Sequence, residues 1–160
     1  MIFVTLGSQK FQFNRLLKAV DKLAEEGETD EIFAQIGYSD YLPKNYKYKS
    51  FLNREEFSDN LNRADIIITH GGTGAIMEAV KKRKKIIAVP RLAKYGEHVD
   101  NHQLQLINQF KELDLIYVCN DCDKLDEALE TVKTKSFKSY QSNTARIIES
   151  IEEYIGEITK

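Results

Sequence analysis

Two cysteines, Cys119 and Cys122, are all that the 160 residues contain. That is too few for a disulfide framework and fits a reducing compartment. Long apolar runs are also missing, and none nears the roughly 18 residues a membrane-spanning helix requires. The amino terminus has no basic stretch followed by an apolar one and a cleavage site, so a cytoplasmic protein is expected. An excess of charge of one sign is absent as well. With 23 Lys and Arg against 25 Asp and Glu, the formal net charge is -2, and no global field points to nucleic acid as a partner. What is present is a balanced composition, 42% hydrophobic and 30% charged, which describes a soluble globular protein. The length suits one domain over residues 1–160, large enough to bury a real core without staples.

Strand and helix patterns alternate along the chain, the signature of a parallel sheet covered by helices. Strands are expected at Met1 to Leu6, Ile32 to Ile36, Tyr46 to Phe51, Asp65 to Thr69, Lys85 to Val89 and Leu115 to Val118, with Pro90 stopping the fifth. Helices are expected from Phe13 to Glu26, ended by Gly27, and from Arg54 to Asn62, Gly74 to Lys82, Val99 to Glu112 and Lys124 to Val132, before a long terminal helix. The fold class is α/β, a single Rossmann-like domain with a parallel sheet of about six strands and helices on both faces. In such a sheet the ligand crevice lies outside the carboxyl ends of the strands. Three polar loops fall there.

The most informative loop follows the β-branched run Ile66, Ile67 and Ile68, which empties into Thr69-His70-Gly71-Gly72-Thr73-Gly74. A short run of this kind reads as a strand buried on both faces, and glycines behind it let a ligand approach bare amides. The following helix starts with unpaired N–H groups and the positive end of its dipole, which suits a diphosphate. The same glycines also serve a plain strand-to-helix turn, and Gly-rich spacing alone is a weak signal. Glu78 lies one helical turn beyond Gly74, where its carboxylate can accept hydrogen bonds from a ribose diol or complement the helix dipole. His70 can donate to a phosphate or act as a structural hydrogen bonder.

A second loop, Gly7-Ser8-Gln9, follows the first strand and can donate to a phosphate or simply turn the chain. The third, Gly96-Glu97-His98-Val99-Asp100-Asn101-His102-Gln103, is dense in donors and acceptors. It fits the hydroxyls of a sugar, or a helix cap at Asp100.

Taken together, His70-Gly71-Gly72-Thr73-Gly74-Ala75-Ile76-Met77-Glu78-Ala79, Pro90 and Asp100-Asn101-His102-Gln103 resemble the donor-binding half of GT-B enzymes in the glycosyltransferase family 28 carboxy-terminal group. Gly7, Ser8 and Gln9 stand where members have a Gly-Ser-Gln turn. The chain is also similar to stand-alone members: the small cytosolic half of two-subunit UDP-N-acetylglucosamine transferases, and bacterial exopolysaccharide subunits that assist β-1,4-galactosyl or glucuronosyl transferases. The resemblance implies a UDP-sugar donor, with Gly72, Thr73 and Gly74 near the diphosphate and Glu78 on the ribose. It places His102 and Gln103 on the sugar, with Asp100 and Asn101 adjacent. It further implies inverting transfer to a lipid-linked acceptor in exopolysaccharide or capsule synthesis, with no cofactor and no obligatory metal. The acceptor site and catalytic base would belong to a membrane-associated partner that recruits the chain to the inner face of the membrane. A non-catalytic module that activates or stabilises a partner transferase is the alternative. A nicotinamide-dependent oxidoreductase has a related fold, but the first strand ends without the dinucleotide glycine triplet.

Five other features carry less. His98 and His102 have helical i,i+4 spacing but no evident third ligand, so no metal is expected. Cys119-Asn120-Asp121-Cys122 has redox spacing at a late strand, and is read as incidental. Lys81-Lys82-Arg83-Lys84-Lys85 reads as a solvated helix end or as a contact with anionic lipid. The terminal stripe Ile147, Ile148, Ile151, Tyr154, Ile155 and Ile158 and the tyrosines Tyr38, Tyr41, Tyr46 and Tyr48 are either core and edge strand or a partner interface.

Overall fold

The computed structural model describes residues 1–7, 10–27, 31–97 and 101–138, the side chains of Asn101 and His102 excepted. The terminal stripe from Ile147 to Ile158 lies outside the described residues, as do Ser8, Gln9, His98 and Asp100.

The β-branched runs become strands because they are buried on both faces, as a parallel sheet requires. In chain order these are β1 (Ile2–Thr5), β2 (Ile32–Gln35), β3 (Lys47–Lys49), β4 (Ile66–Thr69), β5 (Lys85–Ala88) and β6 (Tyr117–Val118). They form one sheet in the order β3-β2-β1-β4-β5-β6, every pairing parallel. The expected α/β class and six strands are thus observed. The outer strands are shorter than the sequence pattern suggests. β3 sits at one edge with Lys47 and Lys49 exposed, the arrangement that discourages edge-to-edge pairing.

Five helices cover the sheet: α1 (Asn14–Glu25), α2 (Arg54–Arg63), α3 (Thr73–Lys81), α4 (Asn101–Glu112) and α5 (Leu125–Thr134). The period-2 alternation of the strands splits the core in two. Ile2, Val4, Ile66, Ile68 and Ile87 meet Leu16, Leu17 and Val20 of α1 and Ala128, Leu129 and Val132 of α5. On the other face, Phe3, Ile67 and Ile86 meet Ile76, Ala79 and Val80 of α3 and Leu106, Ile107 and Phe110 of α4. This double winding puts β1 and β4 side by side at the point where the chain changes direction across the sheet, the place where such folds open a ligand crevice.

Several tyrosines of the Tyr38 to Phe51 segment have internal roles. Tyr41 Oη donates to Asp21 at 2.6 Å. Tyr46 Oη donates to the Leu17 carbonyl at 2.9 Å, and burial drives its pKa strongly upward. Tyr48 packs on the core. Tyr38 alone of the four is exposed, edge-on to Phe51 with ring centroids 5.1 Å apart. The two cysteines are buried and unbridged. Burial raises both thiols, Cys122 to about 11, so neither is a thiolate near neutral pH and the redox reading of their spacing gains nothing.

Candidate functional site

The loops after β1 and β4 meet around one imidazole. His70 is 4% exposed. A methyl group placed on Gly7 would lie 2.8 Å from its Cε1, and one on Gly72 would lie 2.7 Å from both Cε1 and Nε2. Two glycines therefore hold the ring between two backbones with no room for a side chain. Gly7 also has φ +67, which only glycine adopts without strain. His70 Nδ1 lies 3.4 Å from the Thr5 carbonyl oxygen, an acceptor, so Nδ1 carries the proton and Nε2 carries the lone pair. Burial, and secondarily the nearby Arg91 guanidinium, lowers the pKa to about 4 against the opposing bond to Thr5. His70 is a neutral ring, and in the tautomer that bonds Thr5 its Nε2 is an acceptor. The expected donation to a phosphate does not fit that tautomer.

The three glycines after β4 divide by cause. Gly71 has φ +96, and a side chain there would run into Ile107 of α4. Gly72 is excluded from a side chain by His70. Gly74 is exposed, lies inside α3 with an ordinary φ, and a methyl group on it would meet nothing within 4 Å. Glycine in a helix costs roughly 0.5–1 kcal/mol relative to alanine, and no contact among the described residues requires it here. Its effect is to leave the first turn of α3 bare. That turn has no side-chain cap at Gly72 and no acid of its own. The first bond to the N-cap carbonyl comes only at Ile76, so the amides of Thr73, Gly74 and Ala75 point out of the helix toward the crevice. Glu78 is exposed four residues after Gly74, on the same side of α3. The structure thus brings Gly7, His70, Gly71 and Gly72 together beside the β1–β4 junction, with Thr73 and Gly74 opening α3 and Glu78 exposed one turn further along it. Gln103 lies half-buried in the first turn of α4.

The loop after β5 contains what sequence reasoning missed. Arg91 is 1% exposed and donates to the carbonyls of Phe11 at 2.9 Å, Gln12 at 3.0 Å and Leu6 at 3.2 Å, tying this loop to the one after β1. Its Nε is buried with no partner among the described residues. Burial lowers the guanidinium pKa to about 10, with Glu97 opposing. Glu97, fully buried, accepts from Arg15 Nε and Nη2 at 3.0 Å each and from the Leu92 amide at 2.9 Å. Its oxygens are committed, so the expected place of Glu97 in a cluster open to sugar hydroxyls is corrected: it fastens the loop after β5 to Arg15 and Leu92. The signal for both residues was faint. A pair 82 residues apart leaves no local pattern, and Arg91 followed Pro90 like any polar loop residue.

Among the described residues no three His, Cys, Asp or Glu side chains gather closely enough to hold a metal ion, and no helix is long and apolar enough to cross a membrane. The sequence model of the glycosyltransferase family 28 C-terminal domain matches residues 1–158. The chain belongs to this family. Human UDP-N-acetylglucosamine transferase subunit ALG13 is 25% identical over 126 residues, 74% of this chain and 11% of that protein. The Saccharomyces cerevisiae subunit of the same name is 32% identical over 56 residues, 35% of this chain and 26% of that one. This family 28 domain therefore spans about a tenth of the human relative. A solution structure of ALG13 superposes with a TM-score of 0.60 at 19% identity, over 92% of this chain and 94% of that one. Acinetobacter baumannii MurG gives 0.57 at 16% identity, over 94% of this chain and 49% of that chain. At these identities the likeness is one of fold.

Proposed function

We propose that this family 28 domain is the donor-binding subunit of an inverting glycosyltransferase that uses a UDP-sugar. The observation that carries the reading is Gly74, a helix glycine that no contact among the described residues requires, at the start of an uncapped helix in the switch-point crevice. Bare amides at a helix start suit a diphosphate. Gly72, Thr73 and Gly74 receive it together with Gly7, Ser8 and Gln9. Glu78 accepts from the ribose hydroxyls, and Asp100, Asn101, His102 and Gln103 address the sugar.

The relatives' name supports N-acetylglucosamine as that sugar, with galactose the other candidate, and as subunits by name they support a partner. The acceptor is lipid-linked, and a membrane-associated partner supplies its site and the base. An acceptor hydroxyl attacks the anomeric carbon from the face opposite the diphosphate and gives its proton to that base. The bond from the anomeric carbon to the diphosphate oxygen breaks, and its electron pair leaves with UDP. Amides fixed before the reaction stabilise the growing negative charge without reorganising. His70, neutral, contributes an acceptor at Nε2 and no charge.

Thermal unfolding with UDP and with NAD tests the binding. UDP raises Tm and Glu78→Ala reduces the rise, whereas a rise with NAD alone overturns the reading. With partner and acceptor added, Glu78→Ala abolishes transfer by a donor subunit. Enhancement that survives Glu78→Ala marks an accessory module instead.

A further inference from the structure

In a doubly wound sheet the helices run against the strands, so helix amino ends line the crevice and helix carboxyl ends gather at the opposite edge. At that opposite edge α3 and α5 finish beside the start of β5, around a cavity of about 420 Å³. Six cations line it: Arg83, Lys84, Lys85, Lys133, Lys135 and Lys138. Among the described residues no acidic one does. Val80, Leu115 and Phe137 form an apolar floor.

Favourable pairing with helix carboxyl ends explains part of this charge. Each end amounts to about half a negative charge. Two carboxylates outside the lining pair with lysines of it, Asp114 with Lys135 at 3.0 Å and Glu130 with Lys133 at 3.5 Å. Set against six cations, these leave about three positive charges around one concavity among the described residues, in a chain whose net charge is -2. Among the described residues no carboxylate lies within ion-pair distance of Arg83, Lys84, Lys85 or Lys138. Two of the lysines are held by backbone instead: Lys85 Nζ donates to the Lys133 carbonyl at 2.8 Å and Lys84 Nζ to the Asn62 carbonyl at 2.8 Å. A concave, low-dielectric wall concentrates such a field.

The backbone supplies a second, independent observation. Among the described residues only two besides glycines have positive φ, Arg83 at 58° and Asp114 at 58°. Arg83 lines the cavity, and Asp114 pairs with Lys135, which also lines it. Arg83 occupies the left-handed position after α3, where its amide bonds to Val80 and that of Lys84 to Ala79. Glycine fills such a position without strain. An arginine kept there bears strain that the helix end does not need, and places a guanidinium on the cavity rim.

We propose that this cavity is a second anion site, separate from the crevice, that takes a phosphate ester of two or more negative charges. The charge comes from the rim cations, and the apolar floor receives the carbon part of the ester. The ester arrives either free in solution or as the headgroup of an anionic lipid.

Amide-resolved NMR titrations of the intact chain test this, first with inorganic pyrophosphate and then with phosphatidylcholine vesicles with and without phosphatidic acid. Pyrophosphate is expected to shift residues 83–85 and 133–138 whether or not UDP is present. Arg83→Gly relieves the left-handed backbone, so it should fold at least as stably as the parent while binding about fivefold more weakly. Adding Lys138→Gln should bring the loss to about twenty-five-fold. Binding of pyrophosphate shows that phosphate charge free in solution suffices, without a membrane. Binding only to vesicles that contain phosphatidic acid, lost in the double variant, identifies a lipid headgroup. Binding of neither probe, binding that the double variant leaves unchanged, or pyrophosphate shifts that UDP abolishes would overturn the proposal. The failure of UDP to move the first turn of α3 would bear on the donor site alone.

Discussion

The loops after β4 and β5 leave adjacent strands of the same sheet, and they are built in opposite ways. The loop after β4 uses almost no side chains: two glycines make room for His70 and Ile107, and a third leaves a helix start bare. The loop after β5 is fastened by side chains, with Arg91 reaching three carbonyls and Glu97 taking three hydrogen bonds. On the proposed function the contrast separates two tasks. Amides that receive a ligand must be left uncovered, and uncovered backbone gives a loop little stability of its own. The neighbouring loop supplies the rigidity, and does so with buried charge, which is costly unless fully partnered.

Four experiments break or sharpen this contrast. The largest effect is expected at Glu97. Glu97→Ala leaves Arg15 and the Leu92 amide without their acceptor and should cost about 3–5 kcal/mol in urea denaturation; a loss under about 1 kcal/mol would deny the loop its role as anchor. Next comes pH. The His70 ring is held near 4 in the fold, against an ordinary 6.5 in the unfolded chain, so the unfolded chain binds the extra proton first as pH falls. The stability contributed by the neutral ring is complete above about 6.5 and is lost as pH falls toward 4, about 3 kcal/mol in all. His70→Gln should flatten the stability curve over that window. Gly71→Ala should cost about 2 kcal/mol through its positive φ and the collision with Ile107. Gly74→Ala should do the reverse, raising stability by about 0.5–1 kcal/mol while weakening UDP binding about tenfold. A variant that is more stable and still binds UDP as the parent does would reduce Gly74 to an ordinary helix position.

The central strands were legible because burial on both faces demands an uninterrupted β-branched run, as in Ile66, Ile67 and Ile68. The edges were less so. Leu115 and Ile116 read as strand but pack below it, since β6 pairs with β5 only through Tyr117 and Val118. At the site, the sequence located the glycine turn but could not rank its members. Three glycines look alike in one dimension, and only φ angles and neighbours show that Gly71 and Gly72 serve the turn while Gly74 does not. The tautomer of His70 was hidden for the same reason, since the Thr5 carbonyl that fixes it belongs to another strand. Arg91 and Glu97 are polar residues in a polar loop until the fold buries them.

The claim on which the rest depends is that the open first turn of α3 receives the diphosphate. Following every backbone amide while UDP is titrated into the chain tests it most directly. The account predicts that the largest movements fall at Gly72, Thr73, Gly74 and Ala75. Saturation with UDP that moves other amides and leaves these four unchanged would contradict it.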